Sequence, residues 1–81
     1  MKIRIDLISD TIGYKVYEVN KNHSDKRIEN HKYNMNHFWQ EDDILNLLGE
    51  KEYQKFENGK IEFTVTKKQI FNASDNNQYY Q

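Results

Sequence analysis

The feature that most constrains this chain is that its 81 residues include no cysteine. Neither a disulfide framework nor a thiolate-bound metal can then stabilise so short a chain, so a hydrophobic core has to do so. Ile, Leu, Val and Phe make up 19 of the 81 residues, just above the level of about 20% below which chains are typically disordered. We therefore expect one small folded domain that acts through its surface, because it has too little chain to enclose a deep reaction chamber.

The first twenty residues have the pattern of a β-hairpin. Ile3, Ile5 and Leu7 alternate with charged residues, which predicts a strand with these three side chains in the core. Residues 9–13 have the composition of a turn, and residues 14–19 are rich in strand-forming residues. The apolar phase slips within this second segment, which predicts either a bulge there or burial on both faces.

The polar stretch 20–36 predicts a long loop with a short edge strand at residues 27–33. Three histidines lie in or beside this stretch: His23, His31 and His37. They lack the i, i+4 spacing of helical metal ligands, so no metal centre is predicted, although a loop could gather them beside Asp25.

An acidic run introduces the helical part of the chain. Its members are Glu41, Asp42 and Asp43, and an apolar run follows them. Negative charge in a first turn complements the helix dipole, which predicts a helix that starts here. With Gln40 as the N-cap, Trp39 and Ile44 occupy the two positions of a hydrophobic staple. Asn36 is an alternative start, because Gln is a poor cap.

The rest of the chain predicts a helical segment, a strand and a last helical turn. Gly49 divides the helical segment into two short helices or kinks a single one, and Asn58-Gly59 ends it. Residues 60–66 alternate as a strand, and residues 67–73 form the last turn. The expected inward side chains are Ile61, Phe63 and Val65 from the strand and Ile70 and Phe71 from the turn.

This order of elements predicts an α+β fold with a ββαβ arrangement. We expect a three-stranded, mainly antiparallel sheet with one helix, or two short ones, packed on one face. Residues 1–73 form the single domain, and residues 74–81 form a frayed tail. The exposed edges of so small a sheet favour strand addition to a partner or homodimerisation.

Composition argues against several classes of function. The net charge of −1 implies neither a polybasic nucleic-acid binder nor a strongly acidic mimic of DNA. The N-terminal residues lack the apolar stretch of a signal peptide, and no segment is apolar over the roughly 18 residues of a membrane span, so we expect a cytoplasmic protein. Neither a nucleophile motif nor a glycine-rich phosphate loop is present. We therefore predict no catalytic residues and no cofactor.

The acidic run and the tryptophan before it are the predicted partner-binding site. Tryptophan and tyrosine are preferred anchors of protein interfaces, so Trp39 beside the carboxylates of Glu41, Asp42 and Asp43 suits a basic partner surface. Tyr17 on the hairpin is predicted as a further contact. The alternative for Trp39 is a buried staple residue. We expect a Lys substitution at both 42 and 43 to weaken partner capture without preventing folding.

The function predicted from these observations is a small non-enzymatic protein-binding module. Its most concrete form is a phage or mobile-element inhibitor of a host defence nuclease, of the anti-CRISPR or anti-restriction kind, that occludes a basic nucleic-acid-binding surface. The association rests on small size and on ten Asn and ten Lys residues, whose codons are AT-rich. The alternative is a nucleic-acid-binding accessory or regulatory protein, in which Lys2, Arg4 and Lys15 contact phosphates and Tyr14 or Tyr17 stacks on bases.

Overall fold

The computed structural model describes residues 1–32 and 37–74. Within these residues lie the strands β1 (Lys2–Ser9), β2 (Gly13–Glu18), β3 (Lys26–Ile28) and β4 (Glu62–Thr64), and the helices α1 (Glu41–Leu48), α2 (Glu50–Glu57) and α3 (Lys67–Ser74). The fold is α+β, as predicted, but its sheet has four strands rather than three.

The sheet has the order β3-β2-β1-β4, and each neighbouring pair is antiparallel. The additional strand is β3, which falls in the polar stretch where a short edge strand was expected. It is shorter than the predicted 27–33, and position 33 lies outside the described residues. Both edge strands, β3 and β4, have only three residues, and such short edges limit pairing with another chain.

One face of the sheet carries the core. Ile5 lies opposite Val16 and Ile3 opposite Phe63 across the ladders, so these four side chains project from the same face. Side chains from the helices and flanking segments complete the core: Trp39, Ile44, Leu47, Leu48, Val65 and Ala73. Each fully buried Ile, Leu, Val or Phe side chain in this core contributes about 1.5–3 kcal/mol. The helical layer therefore packs on this face alone, and the other face of the sheet is polar.

Three apolar residues that were expected in the core are exposed instead. Leu7 and Ile61 have 56% and 47% of their surface accessible, and Phe71 has 39%. Leu7 pairs with Tyr14 and so projects from the core face, but the helical layer does not cover this end of β1. Ile61 precedes β4, which begins only at Glu62. Alternation in a sequence predicts which face a side chain occupies, not whether another element covers it.

The predicted bulge occurs in β1 rather than in β2. The register between the two strands passes from Leu7 opposite Tyr14 to Ser9 opposite Gly13, so Ile8 is the additional residue. In β2 only Gly13 and Val16 are buried. The slipped apolar phase of β2 therefore reflects half-buried side chains on both faces, not an inserted residue.

The helix boundaries follow the predicted capping residues. Gln40 is the N-cap of α1, and its main-chain N–H donates to Oδ2 of Asp43 at 2.9 Å. Trp39 and Ile44, the predicted staple pair, are both fully buried. Gly49 separates α1 from α2, so there are two short helices rather than one kinked helix. The alternative start, Asn36, lies outside the described residues.

The two ends of the described chain are held by hydrogen bonds. The N-terminal ammonium of Met1 donates to the carbonyl of Val65 at 2.7 Å. Ser74, which was expected in the frayed tail, is instead buried at the end of α3, where its Oγ donates to the carbonyl of Ile70 at 2.7 Å. The remaining tail, residues 75–81, lies outside the described residues.

Candidate functional site

A groove opens between the turn of the β1–β2 hairpin and the start of α1. Its volume is about 360 Å³, and we call it the acidic groove. It is lined by Leu7, Ser9, Asp10, Gly13, Tyr14, Gln40, Glu41 and Asp42. Gln40 joins the two walls, because its Nε2 donates to the carbonyl of Ile12 at 2.9 Å.

Close approach of the two walls depends on Gly13. The main chain of Tyr14 exchanges two hydrogen bonds with that of Trp39, at 2.7 and 2.8 Å. This pairing brings the carbonyl of Trp39 to 2.5 Å from where a Cβ on Gly13 would lie, and the φ of Gly13 is +117°. A residue with a side chain would clash there and would adopt this φ only under strain. The glycine read from the sequence as a turn residue thus also shapes the groove.

A second groove, of about 370 Å³, continues from the first, and we call it the aromatic groove. It is lined by Ile5, Leu7, Tyr14, Glu41, Tyr53, Phe56, Glu57 and Ile61. The ring centroids of Tyr14 and Phe56 are 5.5 Å apart in an edge-to-face arrangement, which is a favourable geometry for aromatic pairs. Leu7, Tyr14 and Glu41 belong to both grooves, so the two form one continuous surface.

This continuous surface combines negative charge with exposed apolar area. Among the described residues that line it, four carry carboxylates and none carries a positive charge. The four are Asp10, Glu41, Asp42 and Glu57. The exposed apolar part is supplied by Leu7 and Ile61. An exposed apolar area bordered by charges is typical of an interaction site.

Burial and the nearby carboxylates both raise the pKa of two tyrosines in the grooves. Burial raises the pKa of Tyr14, and the charges of Glu41 and Asp10 raise it further. Burial likewise raises the pKa of Tyr53, with smaller contributions from Glu41 and Glu57. Both phenols are therefore protonated at neutral pH and are able to donate a hydrogen bond to a partner.

The structure divides the predicted partner-binding residues into two groups. Glu41 and Asp42 are exposed and line the acidic groove. Trp39 and Asp43, in contrast, are fully buried. The idea of Trp39 as an exposed anchor is wrong, because its ring lies in the core and its Nε1 donates to the carbonyl of Ile28 at 2.9 Å.

Asp43 is a structural residue rather than a surface acid. Its carboxylate accepts hydrogen bonds from Nδ2 of Asn30 and the main-chain N–H of Gln40, both at 2.9 Å, and pairs with Nζ of Lys32 at 3.1 Å. A lysine at position 43 would bury a second cation beside Lys32. The burial of Asp43 therefore argues against the expectation that a Lys substitution at both 42 and 43 preserves folding, and we now expect position 43 not to tolerate it.

Tyr17 lies on the opposite face of the sheet from α1. It pairs with Arg4 across the β1–β2 ladder, and the Arg4 guanidinium lies over its ring at 4.9 Å. Tyr17 and the acidic groove therefore cannot contact the same flat surface of a partner. Sequence reasoning missed Leu7 and Tyr53 as groove residues, and it considered Tyr14 only as a residue that stacks on bases.

Two cations of this polar sheet face, Lys2 and Arg4, are paired with neighbouring carboxylates. Nζ of Lys2 lies 3.0 Å from Glu62, and Arg4 pairs with Asp6 at 3.2 Å and with Asp25. The hydrogen bond from Arg4, assisted by one from the main chain of Asn20, lowers the pKa of Asp25. Paired cations give a phosphate backbone little net charge to bind.

Comparison with protein-family models, with curated proteins and with solved structures found no match to this chain. Of the helices in residues 1–32 and 37–74, none is long and apolar enough to cross a lipid bilayer.

Proposed function

We propose that this domain is a non-enzymatic protein-binding module that captures a basic protein surface in the acidic groove. The observation that carries the proposal is the set of three carboxylates of the acidic groove, with Glu57 of the adjoining aromatic groove, around a floor formed by Leu7 and Tyr14, and with no cation among the described lining residues. Lys and Arg side chains have apolar stems and charged heads. Their stems suit the exposed apolar floor, and their heads suit the carboxylates at its border.

In its narrower form the proposal is a phage or mobile-element inhibitor, located in the cytoplasm, of a host defence nuclease. Such a nuclease carries a basic surface that binds nucleic acid, and an acidic groove would occupy that surface in place of phosphates. The pairing of Lys2 and Arg4 with carboxylates favours this proposal over the nucleic-acid-binding alternative. Homodimerisation through β3 or β4 would involve only three residues of each strand, so we favour the groove as the interface.

Amide NMR with an oligo-arginine peptide as the probe tests the groove directly. We expect shift changes at Leu7, Tyr14, Glu41 and Asp42 that saturate with peptide and weaken with added salt. An exposed ion pair is worth about 0.2–1 kcal/mol, so Glu41→Gln combined with Asp42→Asn should weaken binding about 2- to 30-fold. Leu7→Ala should also weaken binding, because the peptide loses its apolar contact.

Glu50→Gln is the matched control, because Glu50 is an exposed acid in the first turn of α2 and lines neither groove. If Glu50→Gln weakened peptide binding as much as the groove variants do, or if the shift changes were scattered over the whole surface, only general electrostatic attraction would be acting. Titration with duplex DNA tests the nucleic-acid-binding alternative, because saturable DNA binding at physiological salt would favour that function. A pull-down from the native host, with a nuclease-treated control, then identifies the natural partner.

A further inference from the structure

Glu29, His31 and His37 converge on the protein surface beside β3. One ligand atom from each residue can be chosen so that all three lie within 4.8 Å of one another. Nδ1 of His37 lies 3.6 Å from Oε2 of Glu29, and the two imidazole rings meet edge to face at 5.6 Å. All three side chains are exposed, so neither burial nor core packing explains their convergence.

The main chain holds these three residues in place through Asn30. This asparagine is fully buried, and its main-chain N–H donates to the carbonyl of His37 at 3.1 Å. Its side-chain Nδ2 donates to Oδ2 of Asp43 at 2.9 Å and to the carbonyl of Phe38 at 3.4 Å. Because Asn30 stands between Glu29 and His31, these bonds fix both residues next to His37. The spacing of the histidines in the sequence predicted no metal centre, because it does not reveal the main-chain hydrogen bond between Asn30 and His37.

We propose that Glu29, His31 and His37 form a binding site for a divalent transition metal of the Zn²⁺ class. Two imidazoles and one carboxylate are a ligand set that suits Zn²⁺ and its neighbours, whereas Mg²⁺ and Ca²⁺ prefer oxygen ligands alone. Three protein ligands leave at least one position for water or for a donor from another molecule. The site is separate from the acidic groove and does not depend on the proposed function.

The ligands need only small side-chain movements to bind the ion. Bonds of about 2.0–2.1 Å place tetrahedral ligands about 3.3 Å apart, so atoms that now lie within 4.8 Å of one another have to approach by up to about 1.5 Å. Rotation of exposed side chains supplies such movement. Two cations close to the cluster in sequence contact other groups: Lys32 pairs with Asp43, and the Arg27 guanidinium lies over the ring of Phe38 at 5.0 Å.

The test is calorimetric titration of ZnCl₂ into chelator-treated protein that was purified without a polyhistidine tag. We expect saturable binding of one ion per chain. His31→Ala and His37→Ala should each weaken it at least about tenfold, the smallest loss expected even for an outer-shell partner, and Glu29→Gln should weaken it measurably. Asn30 and Arg27, among the described residues, both donate to the main-chain carbonyl of residue 37, so His37→Ala should still fold.

His23→Ala is the matched control, because His23 is an exposed histidine outside the cluster. Its affinity for Zn²⁺ should equal that of the unmodified protein. In NMR spectra, Zn²⁺ should move the imidazole signals of His31 and His37 but not those of His23. Absence of saturable binding, an equal loss in the His23 variant, or equal movement of all three imidazole signals would overturn the proposal.

Discussion

The buried carboxylate of Asp43 offers the sharpest test of how this fold is held together. Asp43→Ala removes Oδ2, which accepts hydrogen bonds from both Asn30 and Gln40, and it breaks the ion pair between Oδ1 and the ammonium of Lys32. Removal of one member of a buried ion pair typically costs about 3–5 kcal/mol. The Lys32 side chain is 24% exposed, so water can partly solvate it. We therefore expect a loss near the lower end, about 3 kcal/mol.

A loss of this size is a large part of the total stability. A domain of this length is stable by about 4–12 kcal/mol. With a urea dependence of about 1 kcal/mol/M, the unfolding midpoint should fall by about 3 M. Fluorescence of Trp39 is a suitable signal, because it is the only tryptophan in the chain and is fully buried.

The neighbouring acid provides the control for this experiment. Asp42→Ala removes an exposed carboxylate from the same helical turn, and it should change stability by no more than about 1 kcal/mol through the helix dipole. Asp43→Asn loses the ion pair but retains one acceptor oxygen, so its stability should lie between those of the other two variants. Equal losses for Asp42→Ala and Asp43→Ala would refute the structural role of Asp43.

Two further predictions concern the hairpin and its surroundings. Gly13→Ala should destabilise more than Gly59→Ala in urea unfolding, because both glycines have a positive φ but only Gly13 would place its Cβ against the carbonyl of Trp39, at 2.5 Å. The shared backbone strain costs about 1–3 kcal/mol, so equal losses would show that the clash is relieved. The lowered pKa of Asp25 means that its pairing with Arg4 stabilises the fold above the ordinary carboxyl pKa of 3.8 and ceases to do so as pH falls through the lowered value. Asp25→Asn should thus be less stable than the unmodified protein at neutral pH, with a gap that closes in acid; a gap independent of pH would contradict this.

Sequence reasoning located most elements because their signals are local. The alternation in β1, the acidic first turn of α1 and the division at Gly49 each depend on residues within a few positions of one another. The strand at residues 26–28 was harder to place, because its pairing partner in β2 supplies the hydrogen bonds that make it a strand. The same limit applies to Leu7. Its strand was predicted correctly, but its exposure to solvent was not.

The candidate sites depended more strongly on contacts between distant residues. Glu41 and Asp42 were found because charge at a helix start is visible in the sequence, and both line the acidic groove. The hairpin residues from Leu7 to Tyr14 lie next to Glu41 and Asp42 only because β2 pairs with Trp39. For Trp39 the sequence left both an interface anchor and a buried staple residue open, since an aromatic residue beside acids has the same pattern in both, and the structure shows that it is buried.

The amino-acid sequence by itself determined the α+β class, most of the strands and helices and the acidic start of α1, since these follow from periodicity and from capping over short spans. Only the tertiary structure decided that Asp43 is buried while Asp42 is exposed, and that Glu29 meets His31 and His37. The physical reason is that burial and convergence depend on which distant segments pack together. A local pattern carries no information about that packing.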